Sequence, residues 1–486
     1  MKRQQSLKKN FIMNAILTMS SFIFPLITFP YVSRVLGPTG TGKVSFATSL
    51  ISYFSMFAQL GIPMYGIRAC AKVRDDREEL TRTAHELLMI NMVMNVISYF
   101  ALFLALKFIP RLQEDKSLYV IISSTIFLTS IGMEWLYKAL EQYTYITVRS
   151  IIFKFVALLA MFLLVHKQDD YVIYGAITIL AASASNIFNL INAHRFIGFK
   201  PVGNYHLKKH LKPVGVFFAM ACATTVYTHL DVVMLGFIVT DQDVGYYNAA
   251  VRIKSILVSI VTSLGAVILP RATYYIQKGQ IEEFKRISRK AINFVFLLAT
   301  PLTVYFILFA RYGVLLLSGK EFMGAIVPMQ VIMPTLLLIG ITNIMGMQIL
   351  VPTNREKVVL YSEIGGAAVD VIINALLIPR FHSTGAAIGT VAAELVVLII
   401  QYMVLRNELR ETMKSIHYLR IVLGIVLGSV LSIWVVILNL NNFLTLLCSS
   451  VLFFGGYGLF MLLMKEELVI EVFNQCIAAV QRRFKR

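Results

Sequence analysis

The sequence predicts an all-α integral membrane protein of about 14 transmembrane helices, arranged as two six-helix lobes plus two C-terminal helices. Three observations predict it. The 486 residues are 57% hydrophobic and 15% charged, too little charge for a soluble surface of that size. The apolar residues fall in blocks of roughly 20, enough to cross a bilayer as a helix, the element that satisfies its own backbone hydrogen bonds in lipid. Lysine and arginine also alternate loop by loop, with about 33 in one set of loops and about 9 in the other.

The blocks lie at roughly 11–33, 43–66, 87–109, 118–138, 148–166, 171–193, 214–239, 249–270, 291–311, 325–351, 358–379, 384–405, 418–438 and 443–464. The 325–351 block holds Pro328, Pro334, Gly340 and Gly346, and is read as one tilted or kinked span. The basic loops are the N-terminal Lys2, Arg3, Lys8 and Lys9, the loops 67–86, 194–213, 271–290 and 406–420, and the tail. This bias places both termini in the cytoplasm. The net charge of +19 then reflects loops beside anionic lipid, not nucleic acid. The first block is too long for a cleavable signal, and no small-residue cleavage site follows it. Cys70, Cys222, Cys448 and Cys476 are scattered, which indicates neither a disulfide framework nor a zinc site, and no cofactor is expected.

"GPTGTGK", 37–43, fits the start of a phosphate loop, but Val44 stands where Mg²⁺ needs Ser or Thr. A transmembrane helix precedes the stretch in place of a buried strand, and the turn falls on the outer side. ATP is therefore not expected, and Lys43→Ala should be nearly silent. The stretch reads as a tight turn, with Gly37, Gly40 and Gly42 supplying unusual backbone angles.

The stretch has a second copy. "SRVLGPTGTGKVSFATS" (33–49) resembles "VVMLGFIVTDQDVGYYNAA" (232–250), and "QLGIPMYGIR" (59–68) resembles "SLGAVILPR" (263–271). An even number of spans separates the copies, so the halves should be related by a pseudo-two-fold axis along the membrane normal. The expected divisions are 1–200 for the first lobe, 201–410 for the second, 411–464 for the last two spans and 465–486 for a cytoplasmic amphipathic tail.

Charges within spans are costly and face a cavity or a partner. In span 7, Asp231 lies about 12 Å below the outer end, and Arg252 and Lys254 open span 8 within about 8 Å of the same side. An ion pair among them would fix the hairpin or serve ion coupling. Glu134 and Lys138, four apart, form at least a local pair. Lys154, about 9 Å into span 5, is too deep to snorkel and needs an anion or carboxylate neighbour. Asp370 and Glu394, at about 13 and 15 Å depth, would resist double ionisation if they share a face, or hydrogen-bond separately if they do not. Arg68 and Arg271 hold matching repeat positions at the inner ends of spans 2 and 8. They suit a diphosphate at a cavity mouth, or simple positive-inside anchoring.

"FPLITFPYVSRVLGPTGTGKVSFA", "MEWLYKALEQY", "VYTHLDVVMLG", "VGYYNAAVRI", "LGAVILPRATYY", "LVPTNREK" and "NALLIPRFHSTGAAIGTVAAE" together resemble Wzx-type polysaccharide repeat-unit flippases of the multidrug/oligosaccharidyl-lipid/polysaccharide transporter superfamily. The resemblance covers about residues 10–405 and rests on order and spacing, not on one motif. It implies a two-lobed, alternating-access flippase, not a bond-making enzyme, in the bacterial cytoplasmic membrane. The substrate it implies is an undecaprenyl-pyrophosphate-linked oligosaccharide for O-antigen, capsule or exopolysaccharide. Membrane lipids are the surroundings, and the polysaccharide polymerase and chain-length machinery are partner candidates.

On this reading Arg68, Arg271 and Lys154 attract the pyrophosphate, with Arg252 and Lys254 as further candidates. Arg34 joins them by resemblance to the first-helix arginines of related flippases. Asp231, Asp370 and Glu394 are ion-coupling candidates. The alternatives are a drug/cation antiporter or lipid II flippase of the same superfamily, or a membrane glycan polymerase. The short outer loops argue against a polymerase.

Overall fold

The computed structural model describes residues 7–471, 473 and 474, so most of the expected amphipathic tail lies outside the described residues. Among the described residues every regular element is helical. Packing divides the chain into two compact units, Met1–Gly245 and Tyr246–Arg486. This division follows contact density, whereas the repeat boundary expected near residue 200 concerns symmetry.

The first unit holds α1 (Leu7–Gln59), α2 (Ile62–Lys72), α3 (Arg77–Phe108), the one-turn α4 (Pro110–Gln113), α5 (Lys116–Ile131), α6 (Glu134–Ala139), α7 (Tyr143–Leu164), α8 (Tyr171–Ile179), α9 (Asn186–Ala193) and α10 (Lys208–Ile238). α1 breaks at Gly37, whose φ of 64° and ψ of −177° are open to glycine and strained for other residues. Pro38 restarts the helix, its fixed φ suiting a first helical position. Thr147 donates to the carbonyl of Met13 at 2.9 Å, and the Tyr31 hydroxyl to that of Val165 at 2.7 Å. The arm 7–36 therefore runs in the same direction as α7. Lys43 meets Asp115 at the start of α5, and Gly66 meets Trp135 just past its end, so the arm 38–59 with α2 runs in the same direction as α5.

The motif "MEWLYKALEQY" fills the core beside them. Met133, Leu136 and Tyr137 have no exposed surface, and the first two pack with Ile62, Cys70, Leu87 and Val214. A Cβ on Gly66 would sit 2.8 Å from the Trp135 ring, so the glycine lets the indole lie on the α2 backbone. Asp76 caps α3 by accepting from the amides of Glu78 and Glu79 at 2.8 and 3.1 Å.

The second unit starts within α11 (Asp241–Gln277) and continues through α12 (Ile281–Leu308), α13 (Ala310–Leu317), α14 (Ile326–Ile332), α15 (Thr335–Asn343), α16 (Glu356–Lys414), α17 (Tyr418–Ile433) and α18 (Asn442–Leu463). α16 breaks at His382 (φ 52°, ψ −130°). A Cβ on Gly385 would reach the Leu377 carbonyl, one on Gly389 the Asn374 side chain, and one on Gly366 the Val397 side chain. As one number rises the other falls, so the two arms of α16 double back on each other. The block read as one kinked span is bent by 45° where α14 gives way to α15, at Pro334, and then becomes π-helical over Ile344–Leu350. In the motif "LVPTNREK" the chain turns at Asn354 (φ 57°), and Arg355 clamps Glu408 with two bonds of 2.7 and 2.9 Å.

Among the described residues, ten helices are long and apolar enough to cross a membrane, or eleven if the bent pair is one span. Two of the ten are the long helices that break at Gly37 and His382. Large side chains such as Phe100, Phe108, Leu163, Leu419 and Val451 stand exposed along the helices, as lipid-facing surfaces require.

Candidate functional site

In the first unit the start of α11 and the body of α10 each touch the first hairpin by backbone contact. At one, a Cβ on Gly42 would lie 1.8 Å from the Asp241 carbonyl oxygen, and a Cβ on Gly245 would lie 2.0 Å from that of Pro38. The two repeat copies thus pack on each other, each glycine making room for the other's turn. At the other, Gly61 (φ 73°) would meet the Phe218 amide at 2.4 Å. Gly37 supplies an unusual angle as expected. Gly40 and Gly42 do not: they lie within regular helix, and Gly42 serves close approach instead.

Between these contacts lies a cavity of about 490 Å³ walled by the second arm of α1, α5 and α10. Its polar lining is neutral, with Thr48, Ser52, Ser55, Gln59, Thr125, Thr224 and Thr225. Several of these hydroxyls already donate within their own helix, Thr48 to Val44 and Ser52 to Thr48 among them, which leaves their oxygens as acceptors. Beside it, the His229 ring contacts the Ser49 hydroxyl at 3.2 Å, joining α10 to α1.

The turn at Gly37 is tied by charge. The Lys43 ammonium lies 2.9 Å from Asp115, which is 5% exposed and also accepts from the Tyr171 hydroxyl at 2.7 Å. Lys43 sits 4.8 Å from the centre of the Tyr171 ring. It therefore has a structural partner, and the expectation of a nearly silent alanine variant is corrected. Arg111 pairs with Asp241 and donates to the Gly236 carbonyl at 3.0 Å. Burial pushes the Asp241 carboxyl up from its ordinary value, although the Arg111 guanidinium pulls it down.

At the other end of the unit, Glu86 has no exposed surface. It accepts from the amide of His206 at 2.6 Å, Lys209 at 2.8 Å and His210 at 2.8 Å. Next to it, His85 contacts the Gly198 carbonyl at 2.8 Å and the Tyr205 hydroxyl at 3.1 Å. Two adjacent α3 residues thus strap down the segment that leads into α10.

The residues singled out in the sequence are dispersed. Arg68 and Arg271 are exposed, on α2 and α11. Arg34 is exposed and donates to the Pro30 carbonyl at 2.6 Å, one turn back in its own helix. Lys154 is half-buried, and its ammonium lies 2.8 and 2.9 Å from the hydroxyls of Ser20 and Ser21. The close neighbours expected to be anionic are hydroxyls. Asp231 is buried in α10, while Arg252 and Lys254 are half-buried in α11.

Asp370 and Glu394 are each 4% exposed. A Cβ on Gly389 would lie 3.0 Å from the Asp370 carboxylate. Glu394 lies one turn beyond Thr390, whose hydroxyl meets Tyr247 of α11 at 2.9 Å. Asp370 is thus against the facing arm of α16, and Glu394 shares a helix face with the residue that meets α11.

Glu86, His210, Asp115 and Arg149 were not singled out from the sequence. Glu86 and His210 sit among loop charges there, and nothing in their spacing couples them. Arg149 had a signal: in "VRSIIFKFVALL" it stands five residues before Lys154 in the same apolar run.

Residues 7–276, more than half of the chain, match the family described as polysaccharide biosynthesis protein. The chain belongs to that family. It is 25% identical over 405 residues to an Escherichia coli K12 protein named for O-antigen transport, covering 83% of this chain and 97% of that one. A Shigella dysenteriae protein of the same name is 23% identical over 416 residues, covering 82% and 99%. Among solved structures, a lipid II flippase in an inward closed conformation superposes with a TM-score of 0.73 at 14% identity, covering 94% of this chain and all of that one. An inward-facing multidrug resistance transporter of the MATE family, in the multidrug/oligosaccharidyl-lipid/polysaccharide superfamily, gives 0.60 at 14% identity, covering 84% and 99%. The fold is the one these transporters share.

Proposed function

We propose that this chain is a flippase that carries polyprenyl-pyrophosphate-linked oligosaccharide repeat units across a bacterial cytoplasmic membrane for surface polysaccharide synthesis. The observation that carries the reading is the similarity to the E. coli protein named for O-antigen transport, which runs through 97% of that protein's length. The fold supports it, because a shared helical scaffold can host a lipid-linked cargo when its cavity chemistry allows.

With both termini in the cytoplasm, the Gly37 turn lies outside and the Glu86 strap inside. The glycine contacts and the Arg111–Asp241 pair then close the outer end of the first unit. The cavity is largely apolar, and its neutral hydroxyls and amide could accept from the hydroxyls of a glycan. Arg68, Arg271 and Lys154 draw in the pyrophosphate by charge, and Arg34 adds to the field at the outer end. Asp231, Asp370 and Glu394, with Arg252 and Lys254 at the start of the next span, are the groups through which an ion gradient or membrane potential would act. The polyprenyl tail stays in lipid and no covalent bond changes. Fourteen crossings follow if each arm of α1 and α16, and α11, is counted as one.

The test is the sidedness of the lipid-linked oligosaccharide in cells depleted of the protein. Accumulation on the inner leaflet with loss of surface glycan is the expected result. Normal distribution, with altered sensitivity to cationic drugs alone, would replace the glycan with a drug substrate.

A further inference from the structure

We infer that the groove between α3 and α5, at the ends joined by α4, binds one anionic phospholipid. Lys107 and Lys116 hold its phosphate, and its chains lie along the two helices. Residues 107–116 include the cations Lys107, Arg111 and Lys116 and the acids Glu114 and Asp115. Both acids are already taken: Glu114 accepts from Arg111 at 2.7 Å, and Asp115 holds Lys43 at 2.9 Å. Arg111 also pairs with Asp241. Lys107 and Lys116 are exposed, and neither has a carboxylate partner among the described residues.

The two lysines line one cavity of about 690 Å³. Leu102 and Leu106, both buried, form its floor, and Phe103 and Val120, both more than half exposed, form its open side. The Tyr99 hydroxyl donates to the Ser123 carbonyl at 2.8 Å and ties the helices together there. Gln113 spends an amide donor on the Lys107 carbonyl at 2.7 Å, which leaves its side-chain oxygen to accept from a headgroup hydroxyl. Lys107 stands in the last turn of α3 and Lys116 opens α5, and both helices belong to spans long and apolar enough to cross a membrane. Their ammonium groups therefore sit at headgroup depth, and hydrocarbon meets the apolar walls. The occupant that matches is a phosphodiester on acyl chains. A headgroup without its own cation suits it best, because two lysines repel a headgroup ammonium. Nothing in this depends on the cargo carried.

The full chain, purified in detergent and stripped of lipid, is titrated with phosphatidylglycerol and with phosphatidylcholine of the same chains, and bound lipid is counted by native mass spectrometry. Phosphatidylglycerol should bind more tightly. Lys107→Gln and Lys116→Gln should each weaken it about fivefold and leave phosphatidylcholine unchanged. Val120→Trp, which fills the groove without changing charge, should weaken both lipids. Lys320→Gln, at an exposed lysine of the second unit, should change neither. All four positions are exposed, so the variants should fold. Equal affinity for the two lipids, no loss in the two groove variants, or an equal loss in Lys320→Gln would overturn the site. Displacement of phosphatidylglycerol by farnesyl diphosphate at lower concentration would give the groove to a prenyl diphosphate and overturn the phospholipid.

Discussion

The Nε2 of His210 donates to an Oε2 of Glu86 across 2.8 Å, and both side chains are buried. In a neutral imidazole this leaves Nδ1 to accept from the Tyr65 hydroxyl, 2.8 Å away. One carboxylate thus joins α3 to α10, and through the imidazole to α2. Glu86→Ala would leave the donors of His206, Lys209 and His210 without their acceptor, at a cost of about 3 kcal/mol. Glu86→Gln keeps a carbonyl acceptor and should cost less. Thermal unfolding in detergent checks this; equal melting temperatures for wild type and Glu86→Ala would refute it.

Gly42→Ala and Gly245→Ala each place a methyl within about 2 Å of a backbone carbonyl oxygen that has no rotamer by which to move. Both should hold the outer contact open and impair transport while the protein still reaches the membrane. Gly40→Ala meets its nearest atom, Leu36 Cβ, at 3.0 Å and should be tolerated far better. Engineered cysteines at Thr39 and Gln242, tested for cross-linking in each variant, report the spacing. Equal yields in all three would contradict the close-packing role.

Lys43→Ala strands the buried Asp115 carboxylate and should cost about 1–3 kcal/mol, because truncating one member leaves the other poorly solvated. Asp115→Asn combined with Lys43→Ala should recover part of the loss. A double-mutant cycle on melting temperature measures the coupling, and strict additivity would mean the pair contributes nothing. ATP should have no effect on either protein.

Arg68 and Arg271 are exposed, so their joint replacement by alanine should leave expression and melting temperature within measurement error. On the flippase reading the same pair of changes should abolish surface polysaccharide. Normal polysaccharide would confine these arginines to anchoring the inner ends of their helices.

The start of the C-terminal tail is fixed by Glu466, which accepts from Asn293 at 3.1 Å and contacts His417 at 3.0 Å. Glu466→Ala should raise protease sensitivity beyond Met464 without affecting the first unit. Limited proteolysis with mass mapping distinguishes that from global destabilisation.

Helices were legible because lipid leaves the backbone no other way to satisfy itself, and 20-residue apolar blocks are a one-dimensional signal. Pro334 and its glycines announced the bend in the same way. Lys154, Asp231, Asp370 and Glu394 stood out because charge is rare within such blocks. Their partners did not stand out. Whether Lys154 meets a carboxylate or two serines depends on how the first arm of α1 lies against α7, and helical periodicity does not say.

By itself the sequence determined the helical membrane fold, the repeat, the turn at Gly37 and the family resemblance. Each is written in local composition or in order along the chain. Only the tertiary structure decided that Gly42 and Gly245 make room for each other's turns, that Glu86 holds His210, and that Lys43 serves Asp115. Those pairs are 203, 124 and 72 residues apart. They exist because helix packing brings backbone and charge within about 3 Å, a distance no linear pattern encodes.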